Sequence, residues 1–307
     1  MSGICDGRTV IVTGAGRGIG RSHALAFAAA GANVVVNDLG AEVDGGGAST
    51  GPAAEVVDAI RAMGGRAVVN GDDVADWDGG QRLIRTAIDE FGGLDVVVNN
   101  AGILRDRMLV NMSLDEWDAV IRVHLRGTFI PTQIATAYWR ERAKAGERND
   151  ARIINTSSSS GIYGNVGQTN YGAAKVGIAA FTIIASKELT RYGVTVNAIA
   201  PGALTRMTEN LPSAMERTAK PDEFDAGDPD NISPLVVWLA STESASVTGR
   251  VFNVRGGHIS VAEGWFAGPD VDKGDRWEPA ELGAVIPDLV AAARPNANMY
   301  GEVPVDA

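Results

Sequence analysis

Thr9-Val10-Ile11-Val12-Thr13-Gly14-Ala15-Gly16-Arg17-Gly18-Ile19-Gly20 is the stretch on which the fold turns. Thr9 to Thr13 is β-branched throughout, which favours a buried strand. A glycine-rich turn follows it, and a helical pattern starts at Gly18. Glycines there permit a tight turn and let backbone N–H groups approach a pyrophosphate at the helix N-terminus. The spacing G-x-G-x-x-G fails from Gly14, because Ile19 occupies the last glycine place; G-x-x-x-G-x-G, through Gly14, Gly18 and Gly20, fits. Such a turn alone is weak evidence. It becomes strong with a strand before it, a helix after it and an acid about 20 residues on.

That acid is Asp38, closing a second strand, Asn33–Asn37. Its carboxylate can accept hydrogen bonds from an adenosine ribose diol and would repel a 2′-phosphate, so the residues read as NAD over NADP. Arg17 is the counter-signal, since a basic group in the turn can hold a 2′-phosphate or simply stand in solvent. Asp73-Val74 closes a third strand, where it can meet the adenine, and Asn99-Asn100-Ala101-Gly102 closes a fourth. Their repeated position at carboxyl ends of strands puts them on one ligand-binding edge.

Short apolar runs alternate with longer amphipathic ones over most of the chain, the pattern of a parallel sheet covered by helices. Strands are expected at Thr9–Thr13, Asn33–Asn37, Ala67–Asn70, Leu94–Asn99, Arg152–Thr156, Thr195–Ala200 and Val251–Val254. Their near-continuous apolar character suits strands buried on both faces. Helices are expected at Gly18–Ala30, Ala53–Met63, Gly80–Phe91, Leu114–Arg142, Tyr171–Arg191 and Asn231–Ala240. The expected fold is α/β: a single doubly wound parallel sheet, Rossmann-like, with helices on both faces and a C-terminal extension. Residues 1–257 form the nucleotide-binding and catalytic domain, with a substrate lid at about 204–230. Residues 258–307 form an extension that packs on the domain or a neighbouring subunit. Within it, Pro279 to Ala293 carries an apolar stripe of Leu282, Val285, Ile286, Leu289 and Val290. The glycine-rich loop Gly40 to Gly51 is either a surface insertion or a flap over a ligand.

Composition narrows the function. A formal net charge of -11 without clustered Lys and Arg argues against a nucleic-acid surface. Cys5 is the only cysteine, so neither a disulfide framework nor a thiolate metal site can be built within one chain. His23, His124 and His258 lack metal-ligand spacing, and no metal is expected. An apolar strand begins within a few residues of the N-terminus, and no apolar run is long enough to span a bilayer, so a soluble cytoplasmic protein is expected.

The chemistry lies in Tyr171 and Lys175, one helical turn apart, with Ser158 upstream in the run Ser157–Ser160. Residues at i and i+4 share a helix face. The Lys175 charge can therefore favour the phenolate of Tyr171, whose ordinary pKa of ~10 is too high for a base at neutral pH. A phenol, an ammonium and a hydroxyl together suit alcohol–carbonyl interconversion.

Thr13–Gly20, Asp73-Val74, Asn99–Gly102, Ser158, Tyr171-x-x-x-Lys175 and Pro201-Gly202 occur in the order found in the short-chain dehydrogenase/reductase family, which the chain resembles from Arg8 to Gly257. The resemblance implies that Tyr171 is the catalytic acid/base and that Ser158 holds the substrate oxygen. It implies that Lys175 also bonds the nicotinamide ribose, and that Gly14, Arg17, Gly18, Ile19, Gly20, Asp38, Asp73, Val74, Asn100, Ala101, Gly102, Pro201 and Gly202 face the dinucleotide. The family usually has Asn at the place of His124, where it carries a water in a proton relay; His124 is either a replacement relay or a packed helix residue.

Asn37–Gly40, Gly102–Arg107, Arg122–Gly127, Ser160–Asn165 and Pro201–Thr208, with the Gly40–Gly51 loop and Arg276-Trp277-Glu278, resemble a narrower branch. It comprises the dehydrogenase part of peroxisomal multifunctional enzymes of type 2 and its bacterial relatives. That resemblance implies NAD-dependent oxidation of (3R)-3-hydroxyacyl-CoA thioesters, including bulky or steroid-derived ones, with the hydratase step on a separate enoyl-CoA hydratase. Met207, Leu211 and Met215 are candidate pocket residues, and Arg105, Arg107 and Arg206 are candidate partners of CoA phosphates. The alternatives are oxidation or reduction of small hydrophobic alcohols and ketones, a tightly held NAD recycled in place, and a nucleotide sensor without chemistry. The family's tetramers imply a homotetramer through Leu114–Arg142 and Tyr171–Arg191.

Overall fold

The structure is a computed structural model in which residues 3–47, 49, 51–205 and 223–303 are described. Eight strands form one sheet in the order β3-β2-β1-β4-β5-β6-β7-β8. They are β1 Thr9–Thr13, β2 Asn33–Asn37, β3 Arg66–Asn70, β4 Val96–Asn99, β5 Ala151–Thr156, β6 Val194–Gly202, β7 Val251–Arg255 and β8 His258–Ala262. β1 to β7 run parallel, and β8 returns antiparallel along β7. The helices are α1 Gly18–Ala29, α2 Gly51–Ala62, α3 Trp77–Phe91, α4 Leu114–Ile121, α5 Gly127–Lys144, α6 Ser159–Ile162, α7 Thr169–Leu189, α8 Ser233–Ala240 and α9 Ile286–Ala292.

Strand side chains alternate between two cores, which explains why the strand sequences are apolar at nearly every position. Val10, Val12, Val34, Val36, Val96 and Val98 face Phe27 of α1, Val56 and Ile60 of α2, and Leu239 of α8. Ile11, Val35, Val97, Ile153 and Val196 face Leu83 of α3, Trp139 of α5 and Leu189 of α7. The pairings Ile11↔Val35, Ile11↔Val97 and Val97↔Ile153 keep each core in register. The strand order reverses between β1 and β4, and at such a switch point the carboxyl ends of the strands open a crevice.

Three features depart from the sequence expectations. The sheet continues past Gly257 into β8, through a hairpin whose register pairs Arg255 with His258 and leaves only Gly256 and Gly257 in the loop. Next, the expected helix Leu114–Arg142 is interrupted: a π-helical segment, Arg122–Arg126, separates α4 from α5. Pro131 lies in the first turns of α5 and has no N–H to give Gly127, so the regular ladder is already broken there. Finally, the tail stripe splits into a 3-10 segment, Pro279–Ala284, and the short α9, because Pro287 restarts the helix at its first turn. Ile286 and Val290 of that stripe are 46% and 68% exposed, so the chain itself does not bury them.

Among the described residues, no helix is long and apolar enough to cross a membrane. Met207, Leu211, Met215, Arg206 and most of the expected lid lie outside the described residues.

Candidate active site

A cleft of about 1070 Å³ opens at the carboxyl ends of the strands. Its nucleotide end is built on the β1–α1 turn. Gly14 has φ +63, and a Cβ there would lie 2.8 Å from the Cα of Ala101; a Cβ on Gly20 would lie 2.1 Å from the carbonyl oxygen of Gly14. Only glycine fits either place. The two strand ends are laced together through Thr13 and Asn100. The Thr13 Oγ1 accepts from the N–H groups of Asn100 (2.9 Å) and Ala101 (3.1 Å). The Asn100 amide donates in return to the carbonyls of Thr13 (3.0 Å) and Gly14 (3.2 Å).

Asp38 faces this turn. Its Oδ2 accepts from Gly16 N–H at 2.7 Å and its Oδ1 from Gly40 N–H at 2.6 Å. The carboxylate thus supports the glycine turn as well as lining the cleft, a second duty that spacing alone does not reveal. Arg17 is exposed and turns its guanidinium to the carbonyl of Ala41 at 3.4 Å. Asp73 lines the cleft while paired with Arg122 at 2.5 Å, and Val74 is buried beside it. The Gly40–Gly51 loop folds over this end: Leu104 N–H donates to Val43 at 3.0 Å, and Arg105 Nε donates to the Asp44 carbonyl at 2.8 Å. Arg105 is therefore committed to the loop, and Arg107 pairs with Glu116 at 2.9 Å.

At the other end stand Ser158, Tyr171 and Lys175, all lining the same cleft as Gly14, Asp38, Ala101, Gly102, Pro201 and Gly202. The serine run is divided by direction. Ser157 Oγ donates to the Lys175 carbonyl at 2.8 Å, whereas Ser158 hydrogen-bonds the Tyr171 phenol. Ser158 also caps α6 by accepting from Ser160 N–H at 3.2 Å. Lys175 is buried, donates to the Thr156 carbonyl at 2.6 Å and lies 5.4 Å from the centre of the Tyr171 ring. Burial pushes its ammonium down to about 7. Burial pushes the Tyr171 phenol up to about 12, opposed by the Ser158 hydrogen bond and reinforced by the Asp106 charge. The sequence expectation is that the Lys175 charge favours the phenolate; burial acts in the opposite sense, moving both groups toward their neutral forms.

His124 sits in the π-helical segment, buried, with its ring edge-on to Tyr171 at 5.1 Å and 89°. Its Nε2 lies 3.1 Å from the N–H and 2.8 Å from the carbonyl of Ile103, and Nδ1 has no hydrogen-bond partner among the described residues. Burial, aided by the Lys175 charge, holds the imidazole at about 3, so it is neutral at physiological pH.

Further residues, several of them from beyond the expected domain, complete the wall. Tyr163, Asn253, Arg255 and His258 line the cleft together with Met299, Tyr300 and Glu302 of the tail. The tail tip is a knot around Asn298, whose Oδ1 accepts from Tyr300 N–H (2.9 Å) and Glu302 N–H (3.1 Å). Gly301, at φ +81, abuts the Tyr163 hydroxyl so closely that a Cβ would come within 2.8 Å of it. The Gly256-Gly257 pair between alternating runs signals the hairpin that brings His258 here; nothing local in the sequence signals the reach of Met299 to Glu302.

The short chain dehydrogenase family model matches residues 8–216. The chain belongs to that family. It is an oxidoreductase of the short-chain dehydrogenase class, and the residue pattern and the structure agree on it. A solved short chain dehydrogenase from Mycobacterium avium is 60% identical, with a TM-score of 0.88 over 97% of this chain and 100% of that one. Another, from Burkholderia cenocepacia J2315 in complex with NADP, is 29% identical, with a TM-score of 0.69 over 82% of this chain and 98% of that one. The hydroxyacyl-CoA dehydrogenase ChsB1 of Mycobacterium tuberculosis is 43% identical over 94% of this chain and 90% of its own length. Peroxisomal multifunctional enzyme type 2 of Mus musculus is 47% identical over 92% of this chain, which spans 34% of that longer protein.

Proposed function

We propose that the protein oxidises (3R)-3-hydroxyacyl-CoA thioesters to the 3-oxo esters with NAD, bulky and steroid-derived acyl groups included. The observation that carries the reaction type is one continuous cleft with the glycine turn and Asp38 at one end and Ser158, Tyr171 and Lys175 at the other. The substrate class rests on similarity to relatives named for it. A separate enoyl-CoA hydratase is the partner we propose for the hydration step.

The glycine turn would hold the pyrophosphate, Asp38 the adenosine ribose, Asp73 and Val74 the adenine end, and Gly102, Lys175 and Pro201-Gly202 the nicotinamide end. When bound, the nicotinamide ring takes the hydride from the carbinol carbon. The protein's own residues handle the oxygen. Tyr171, as phenolate, accepts the hydroxyl proton as the C–H electron pair leaves, and Ser158 donates a hydrogen bond to the oxygen as it becomes a carbonyl. Lys175 holds positive charge near the phenolate. Burial raises the phenol; that ammonium and the cationic form of the cofactor would both favour the phenolate against it. Asp38 supports NAD because a carboxylate at the end of β2 would repel a 2′-phosphate, and the exposed Arg17 is turned to Ala41. The NADP found with the Burkholderia relative gives the opposite preference a concrete form.

Initial rates with NAD and NADP against a graded series of acyl-CoA thioesters, with free alcohols beside them, test the reading. Thioester turnover with NAD should exceed that of the alcohols; alcohol preference would reject the acyl-CoA assignment and leave the dehydrogenase chemistry standing. We also propose a homotetramer through α5 and α7, where Phe129 and Ile184 are 45% and 58% exposed. A monomer by light scattering at micromolar concentration would overturn it.

A further inference from the structure

The placement of His124 does not suit a proton relay. A relay needs an entry at one ring nitrogen and an exit at the other. Here Nε2 is enclosed by a single residue, facing both the N–H (3.1 Å) and the carbonyl (2.8 Å) of Ile103. In one tautomer Nε2 accepts from that N–H; in the other it donates to that carbonyl. Both end on backbone, which can neither take up nor pass on a proton. Nδ1, the other nitrogen, is buried and has no partner among the described residues; it is Nε2 that does not suit a relay.

What the ring does touch is the joint between the two halves of the site. A Cβ on Gly102 would come within 2.4 Å of Cε1, so that corner of the imidazole lies against the backbone of the turn that carries Ala101 and Gly102. Its other neighbour is the Tyr171 ring, met edge-on at 5.1 Å. Ile103, which it clamps, is buried with Val120 and Ala174, against which Tyr171 also packs. The π-helical turn swings the side chain into this joint, between the turn after β4 and the helix that carries the acid/base.

We propose that His124 is a positioning residue: through Nε2 it fixes the Gly102-Ile103 backbone, and through its T-shaped contact with the Tyr171 ring it sets Tyr171 against that turn. A relay through the ring is not part of this role. The inference rests on Tyr171 being the acid/base, because its purpose is to align that phenol with the nicotinamide end of the cleft. Displacement of a reacting group by about 1 Å can cost roughly 100-fold in rate, so a loosened joint lowers kcat while leaving the ribose and pyrophosphate contacts intact.

The two possible duties call for different replacements. A Gln side chain can carry its amide to the position of Nε2 and hold Ile103; an Asn amide reaches only as far as Nδ1, the place from which a water-borne relay would run. Wild type, His124→Gln and His124→Asn are compared by kcat, by its pH profile, by NAD dissociation constant in the absence of substrate and by thermal melting. His124→Gln should lose only several-fold in kcat, and His124→Asn roughly 10- to 100-fold, with the pH profile unchanged in both and NAD affinity falling by less than kcat does, because His124 braces Gly102 at the nicotinamide end only. Higher activity in His124→Asn than in His124→Gln would overturn the proposal in favour of a relay. So would a shifted pH profile or recovery of activity by added imidazole in either variant. Should both variants melt early, the ratio of their kcat values at a temperature where both bind NAD still decides between the roles. Failure of the underlying reading would show elsewhere, as undiminished turnover in Tyr171→Phe.

Discussion

Replacing Asp38 by Ala separates two duties that the carboxylate performs at once. The side chain accepts from Gly16 N–H and Gly40 N–H at 2.7 and 2.6 Å, which braces the glycine turn. It also stands at the end of β2, where an adenosine ribose would lie. Loss of the brace weakens every cofactor that uses the turn, by about 1 kcal/mol if water takes over the freed N–H groups. Loss of ribose recognition acts on NAD alone. A hydrogen bond to a charged group contributes about 1.5–3 kcal/mol, or roughly 10- to 150-fold at about 1.36 kcal/mol per decade. For NADP the same change removes a repulsion. Two unit charges about 4 Å apart interact by about 4 kcal/mol at an effective dielectric of about 20. Asp38 is only partly buried, so screening reduces this to about 2 kcal/mol. The two differential effects sum to about 3.5–5 kcal/mol, a swing of roughly 300- to 5,000-fold in the NAD/NADP ratio. Dissociation constants for both cofactors, by fluorescence quenching or calorimetry, read that ratio with the shared loss cancelled. If NAD and NADP weaken in parallel, Asp38 is a brace and the ribose assignment fails.

Three further outcomes follow from particular contacts. Tyr171→Phe should keep NAD affinity and lose about 10²- to 10⁴-fold in kcat, the usual span of general acid–base catalysis; turnover within a few-fold of wild type would remove Tyr171 from the chemistry. In Gly20→Ala the new Cβ would sit 2.1 Å from the Gly14 carbonyl oxygen and 2.5 Å from the Asn100 amide. The turn must then move, at about 1–3 kcal/mol, and both the melting temperature and NAD affinity should fall, whereas an unshifted melting curve would show the turn to be looser than the geometry implies. His23 is buried, shares a 2.9 Å contact with Ser233 and is held by burial at about 3, against 6.5 when free. The unfolded chain therefore binds the extra proton between those values, so stability is complete above about 6.5 and falls as pH drops towards about 3, by about 1.4 kcal/mol per unit. The stability difference between wild type and His23→Leu should narrow at that slope over this range, and a difference that stays constant with pH would contradict a neutral buried His23.

The parts of this molecule that were legible in the sequence are those whose chemistry is local. β1 with its glycine turn, and Tyr171 with Lys175, each depend on residues a few places apart, and periodicity puts such residues on one strand or helix face without reference to the rest of the chain. The strand-end rule then carries Asp38, Asp73 and Asn100 to one edge, because a parallel sheet leaves its carboxyl ends together. What spacing does not convey is which polar groups remain free once they arrive. Asn100 reads as a turn residue on the ligand-binding edge, yet its amide is spent on the carbonyls of Thr13 and Gly14. Arg105 reads as a cation available to phosphate, yet its Nε is committed to the Asp44 carbonyl. Tyr171 reads as a phenol lowered by Lys175, yet burial of both groups moves each toward its neutral form. In each case the decisive partner is either distant in sequence or is the absence of water, and neither leaves a periodic trace. The tail tip is the extreme instance: Met299 to Glu302 reach a cleft whose founding turn lies at Gly14. It follows that the reaction type, fixed by a few local groups, is more readily inferred than the substrate, which is selected by walls assembled from remote parts of the chain.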